Sequence, residues 1–183
     1  MKYWSKSSLS IYRHLETMTN TIDKLVMETG KTSYSYELQK YQTTYYQTNK
    51  IIELIERKRK MINLKVVVEQ VLSKLSTNSR KILMLFYIDG VKTELIAKLL
   101  NISLRTFFRQ KVKAIKDFSD NLEKLGFNID FFNREYGNQR WFLSIYDDCV
   151  SKSNVYEYVP DGRLINRVIN EVRKVNFAYN TYI

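Results

Sequence analysis

Five cations and no acid stand between Arg105 and Lys116: Arg105, Arg109, Lys111, Lys113 and Lys116. On a free helix such a run repels itself. Opposite a polyanion the same charges neutralise phosphates and release counterions. The residue types suggest a division of labour. Arg105 and Arg109 suit base edges, because one guanidinium can bond guanine O6 and N7 together. Ser103, Thr106, Lys111 and Lys113 suit phosphate oxygens, with Lys116 flanking them. Leu104 fits a thymine methyl, and Phe108 fits the same group or stacks on sugars. Val112 lies on the same side. An exposed Phe beside two arginines belongs at an interface rather than on a plain surface. The bland alternative is a solvated basic face.

These groups act together only if a helix carries them and other helices hold it. Residues 75–118 read as three helices. The first contains Ile82, Leu83, Leu85 and Phe86 and stops at Asp89-Gly90, where glycine accepts a left-handed geometry. The second runs from about Thr93 to Leu100. Thr93 reads as its N-cap, Ile96, Leu99 and Leu100 face inward, and Ala97 is small enough for a close crossing. Asn101-Ile102-Ser103 is the turn. Asn101 tolerates left-handed backbone, Ile102 plugs the gap, and Ser103 caps the third helix. That helix, Leu104 to about Phe118, turns Phe107, Ala114, Ile115 and Phe118 inward.

The rest of the chain is also helical in pattern. Few residues break it, with one Pro and five Gly among 183. Apolar residues at three- and four-residue steps predict a helix from about Ser8 to Glu28, capped by Ser7 or Ser8 and ended by Gly30. A second helix is expected from about Ser35 to Met61. Its Leu38, Tyr41, Tyr45, Thr48, Ile52, Ile55 and Ile62 approach a heptad that Arg59 interrupts. Packing within the chain and a dimerising coiled coil both explain that pattern. Val66 to Leu75 forms a third segment. The run Arg57–Lys60 suits phosphates or a solvated helix end. Tyr34, Tyr36, Tyr41, Tyr45 and Tyr46 suit single-stranded bases or, more often, a core. Trp141 to Val150 reads as helix or strand. Pro160-Asp161-Gly162 is a turn, and Leu164 to Val175 marks a last amphipathic helix.

Charge sharpens the map. The net charge is +11. The excess of cations is +5 in residues 1–63, +1 in 64–79, +6 in 80–118 and −1 in 119–183. A codon bias alone would not leave the last third neutral. Other chemistries are poorly supplied. Cys149 and His14 are the only residues of their types, which excludes an intramolecular disulfide, a cysteine-rich zinc site and histidine-based metal sites. There is no P-loop and no dinucleotide glycine motif. No enzyme, no cofactor and no membrane span are expected, and a reducing cytoplasm fits the cysteine usage.

Leu75, Arg80, Ile82, Leu83, Tyr87, Gly90, Ile96, Ala97, Leu100, Ile102, Ser103, Arg105, Thr106, Arg109, Ala114 and Phe118 resemble the frame of region 4 of the sigma-70 family. The ending RTFFRQKVKAIKDF is similar to the ArpU- and RinA-type phage late-gene regulators. The resemblance implies a transcription regulator of phage or mobile-element type that reads double-stranded DNA in the major groove. It also implies a sigma-like factor that associates with RNA polymerase core and reads a −35-like element. A protein-interaction module, such as an anti-sigma partner, is the reading from another class. Asn101 and Lys111 depart from the family frame, which usually has Gly and an apolar residue there.

The expectation is therefore a mainly α protein. Residues 1–63 form a helical hairpin suited to homodimer or partner contacts, 64–118 the helix-turn-helix, and 119–183 an aromatic-rich unit that is α or α+β. Its Phe131, Phe132, Tyr136, Trp141, Phe142 and Tyr146 make either a partner surface or a second small core. DNA would hold the protein at the nucleoid within the cytoplasm.

Overall fold

In a computed structural model, the structure describes residues 2–32, 44–152 and 158–174. Among these residues every regular element is helical: α1 (Lys2–Tyr12), α2 (Leu15–Thr32), α3 (Thr44–Lys74), α4 (Thr77–Leu83) with a π-helical turn at Met84–Ile88, α5 (Thr93–Leu99), α6 (Leu104–Lys124), α7 (Ile129–Tyr136), α8 (Arg140–Ser151) and α9 (Gly162–Arg173). Leu38, the tyrosines from Tyr34 to Tyr41, and Val175 lie outside the described residues.

α1 is the centre of the fold. It packs against α8, α6, α3 and the π-helical turn. Its Trp4, Leu9 and Ile11 are buried, and so are Ser5, Ser7, Ser8 and Ser10. A helix surrounded on all sides needs short side chains if its neighbours are to approach, and serine supplies them. The hydroxyls of Ser7 and Ser8 donate to their own helix, to Tyr3 O and Trp4 O, both at 2.8 Å. Back-bonding of this kind satisfies a buried hydroxyl without a partner element. Ser7 and Ser8 were expected to cap a helix beginning near them. They lie inside α1 instead, which starts earlier.

The single helix expected from Ser8 to Glu28 is broken. α1 and α2 meet at Arg13-His14, where His14 N donates to Ile11 O at 2.9 Å in a tighter turn. Arg13 Nε donates to His14 Nε2 at 3.1 Å. Burial first, and the Arg13 charge second, lower the His14 pKa. Gly30 does not end α2, which continues to Thr32. Its φ is not positive, so helical backbone passes through it at a modest entropic cost.

α3 is longer than expected and absorbs the Val66–Leu75 segment, so positions 63 and 64 fall within one helix. Its inner face is Leu54, Met61, Leu64, Val68 and Val71, all buried. The basic run lies in mid-helix rather than at an end. Arg57 Nη1 donates to Val172 O at 2.6 Å and Lys174 O at 2.8 Å, so it caps the end of α9. Lys60 Nζ donates to Glu135 O at 2.8 Å near the end of α7. Lys58 pairs with Asp23 of α2 at 2.6 Å. Three of the four cations thus serve other helices, two of them at C-terminal carbonyls that favour positive charge.

Every regular element among the described residues of the C-terminal region is a helix. Trp141 and Phe142 open α8, and Asp161 caps α9 by accepting from Leu164 N at 2.8 Å. That bond is the first cause of the lowered Asp161 pKa. The aromatics form a core, not an outer surface. Trp4 of α1 stacks on Phe132 at 5.4 Å and Phe142 at 5.7 Å and meets Tyr146 at 4.3 Å between centroids. One buried cluster includes residues from α1 to α9.

Two outcomes follow. Trp4→Ala should lower the free energy of unfolding in urea by about 3–5 kcal/mol; a loss below about 1 kcal/mol would contradict the central place given to α1. The lowered His14 pKa means that the unfolded chain binds this proton first. Its contribution to stability is full above the ordinary value of 6.5 and is lost as pH falls below it. His14→Gln should therefore flatten the fall in melting temperature between about pH 7 and about pH 5.

Candidate nucleic-acid interface

α4, α5 and α6 hold the basic run. Ser76 caps α4 by accepting from Ser79 N at 3.3 Å, and Ser79 Oγ donates to Asp117 Oδ2 of α6 at 3.0 Å. The chain leaves the π-helical turn through Asp89 and Gly90, whose φ is +66°. A Cβ there would meet the Arg13 guanidinium, so the bend between α1 and α2 reaches this corner. Lys92, not Thr93, occupies the N-cap of α5, and it makes no side-chain capping bond. Thr93 is buried instead. Ile96 and Ala97 face inward as expected, but Leu99 is exposed.

The turn has the expected geometry. Asn101 takes φ 53°, the one non-glycine positive φ among the described residues. Asn101 N donates to Lys98 O at 3.1 Å and Ile102 N to Ala97 O at 3.0 Å, which closes the end of α5. Ile102 packs against the core. Ser103 caps α6, its Oγ accepting from Thr106 N at 3.1 Å.

α6 runs past Phe118 to Lys124, with Ser119 and Leu122 also buried. Gly126, at φ +85°, ends it. Its outer face in the first four turns carries Arg105, Arg109, Val112, Lys113 and Lys116, all exposed. These five lie within about 100° of one another at 100° per residue, over an axial length of about 17 Å. Leu104 is exposed at the start, Thr106 is half-buried, and Phe108 is half-buried against Phe107. Further along the same outer face Asp120 and Glu123 are exposed, so the cationic strip stops at Lys116.

Lys111 does not join this strip. It is 1% exposed, and its ammonium lies 3.8 Å from the centroid of Phe86 in the π-helical turn. A cation over an aromatic face is attracted by the ring quadrupole. One hundred degrees per residue places Lys111 between Phe118 and Ile115 on the inner face. The expected phosphate contact from Lys111 is thus unavailable in this conformation. Lys92 and Lys98, exposed at the two ends of α5, were not among the expected site residues. The signal for them was positional: the first helix of such a motif crosses the phosphate backbone.

Three helices around one core, a left-handed turn and a capped, outward cationic helix define a helix-turn-helix protein. Residues 65–117 match the family described as Sigma-70, region 4. The match spans less than a third of the chain and supports a sigma region 4-like helix-turn-helix in this part; that family is one of DNA-binding regulatory domains, not of enzymes. The chain is also similar to dipeptidyl peptidase 4 of Felis catus, 36% identical over 80 residues. Those residues are 42% of this chain and 10% of that protein, so the chain spans about a tenth of that relative's length. No solved structure matches the chain. No helix among the described residues is long and apolar enough to cross a membrane.

Position 101 tests the turn directly. Asn101→Gly should keep full stability, whereas Asn101→Val should cost about 1–2 kcal/mol, because a β-branched residue resists left-handed backbone. Equal urea midpoints for the Val variant and the parent would contradict this account.

Proposed function

We propose that this chain is a transcription regulator that lays the first four turns of α6 in the major groove of double-stranded DNA. The observation that carries the reading is the outward strip Arg105, Arg109, Val112, Lys113 and Lys116 beside a capped turn, within the span that matches sigma-70 region 4. Its length of about 17 Å is half of one duplex turn, which suits four or five base pairs. Arg105 and Arg109 read base edges, with Leu104 and Phe108 toward thymine methyls or sugars. Ser103, Thr106, Lys113 and Lys116 hold phosphates, and Lys92 and Lys98 add to them.

The string RTFFRQKVKAIKDF supports a regulator of the phage late-gene type. The region 4 match also supports a second reading, in which the chain associates with RNA polymerase core and α6 reads a −35-like element. The peptidase likeness carries no catalytic role here. A Ser-His-Asp triad needs a histidine base, and the one histidine, His14, accepts a bond from Arg13. DNA binding places the protein with the nucleoid, in the cytoplasm.

Selection of bound duplexes from a random pool supplies the site. Arg105→Ala and Arg109→Ala should each weaken binding to it by about 1–3 kcal/mol and relax specificity at one position. Lys113→Ala and Lys116→Ala should weaken all sequences alike and each reduce the salt slope by about 1. Lys111→Met should leave that slope unchanged, since the ammonium is buried. An Arg105/Arg109 double variant with the parent's affinity and salt slope would overturn the reading. Recovery of polymerase core on the immobilised chain would favour the second reading; its absence would leave the stand-alone regulator.

A further inference from the structure

α3 is apolar on two sides. Opposite its buried face, Tyr45, Ile52, Ile55, Ile62 and Val66 are between 44% and 78% exposed. With Thr48 and Arg59 they occupy positions 45, 48, 52, 55, 59, 62 and 66, an unbroken alternation of three- and four-residue steps. This is the seam spacing of a two-stranded coiled coil, sustained over three heptads. No described helix covers it. The flanking cations that make described bonds turn away from it: Arg57 to α9, Lys58 to α2 and Lys60 to Glu135.

We propose that a second copy of this chain covers the seam, and that the two α3 helices pair antiparallel about a twofold axis. Two observations select a copy and an orientation. The first is the spacing. A seam of regular heptads is complementary to itself, as an isologous interface requires. The second is charge. Arg59 interrupts the apolar seam, and neither it nor the exposed Glu56 has a hydrogen bond or ion pair among the described residues. In a parallel pair in register, Arg59 faces Arg59 of the other copy. In an antiparallel pair with Ile55 opposite Arg59, each Arg59 lies beside Glu56 of the other copy. Ile52 then meets Ile62, and Thr48 meets Val66. A polar residue at one seam position is a known device for fixing register.

The full chain is tested by sedimentation across about 1–100 µM, the range in which a modest interface assembles. A dimer is expected. Ile55→Glu with Ile62→Glu should give a monomer of unchanged helicity, because both side chains are exposed in the protomer. Arg59→Glu should raise the dissociation constant about tenfold or more, and Arg59→Glu with Glu56→Arg should restore it, as an exchanged charge pair does. For orientation, a mixture of Ile52→Cys and Ile62→Cys chains should form mixed disulfides in preference to self-linked ones. A monomeric parent overturns the proposal, as does a dimer indifferent to the Ile55/Ile62 change. A parent monomer that dimerises only after removal of residues 175–183 overturns it too, since the chain's own end would then be the occupant. Self-linking by each cysteine variant alone overturns the antiparallel pairing.

Discussion

The contact of Trp4 with Phe132, Phe142 and Tyr146 joins the first helix to the C-terminal region, and the rest of the structure is arranged around it. A tryptophan buries a large apolar surface, but it needs neighbours on both sides. The serines beside it make that possible. Their short side chains let α3, α6 and α8 approach one helix together, and the hydroxyls of Ser7 and Ser8 bond within the helix that bears them. α6 therefore rests on α1 as well as on α4 and α5. α6 is thus held by elements far outside its own motif.

Electrostatics on α6 follow the same logic. Its inner side accepts a lysine because Phe86 offers a ring face to the ammonium. That face lies in the π-helical turn, where one wider turn replaces ordinary helix at the end of α4. Departures of this kind tend to occur at sites with a particular packing demand. With Lys111 drawn inward, the outer cations form one narrow strip, bounded by Asp120 and Glu123.

Much of the motif could be read from the residues, because its signals are local. Asn101, Ser103 and Gly90 each act within a few positions of the backbone they shape. The helical class was equally readable from the spacing of apolar residues. The features that escaped are all set across the chain. Nothing near His14 announces a break; α2 turns there to reach α3. The Arg57–Lys60 run looks like a phosphate site until α7 and α9 bring their carbonyls to it. The aromatics after Gly126 offer no choice between core and surface until Trp4 arrives. Inside the motif Lys111 was misplaced, as were Thr93 and Leu99. The helical angle of Lys111 put it on the inner face, but its charge argued for the outside, and only the position of Phe86 decides between them. The exposed seam of α3 was legible as a pattern, whereas its direction depended on which face the core had already taken.

The burial of α1 also has a consequence for how the protein is made. Trp4 is made before Phe142, which is added 138 positions later. At roughly 5–20 residues per second, the helix waits on the order of ten seconds for its main partners. Through that interval its apolar residues have no permanent place, while the local turn at Asn101 can already form. The C-terminal region, made later, thus completes the seat of α1, and α6 gains its full support only when that circuit closes.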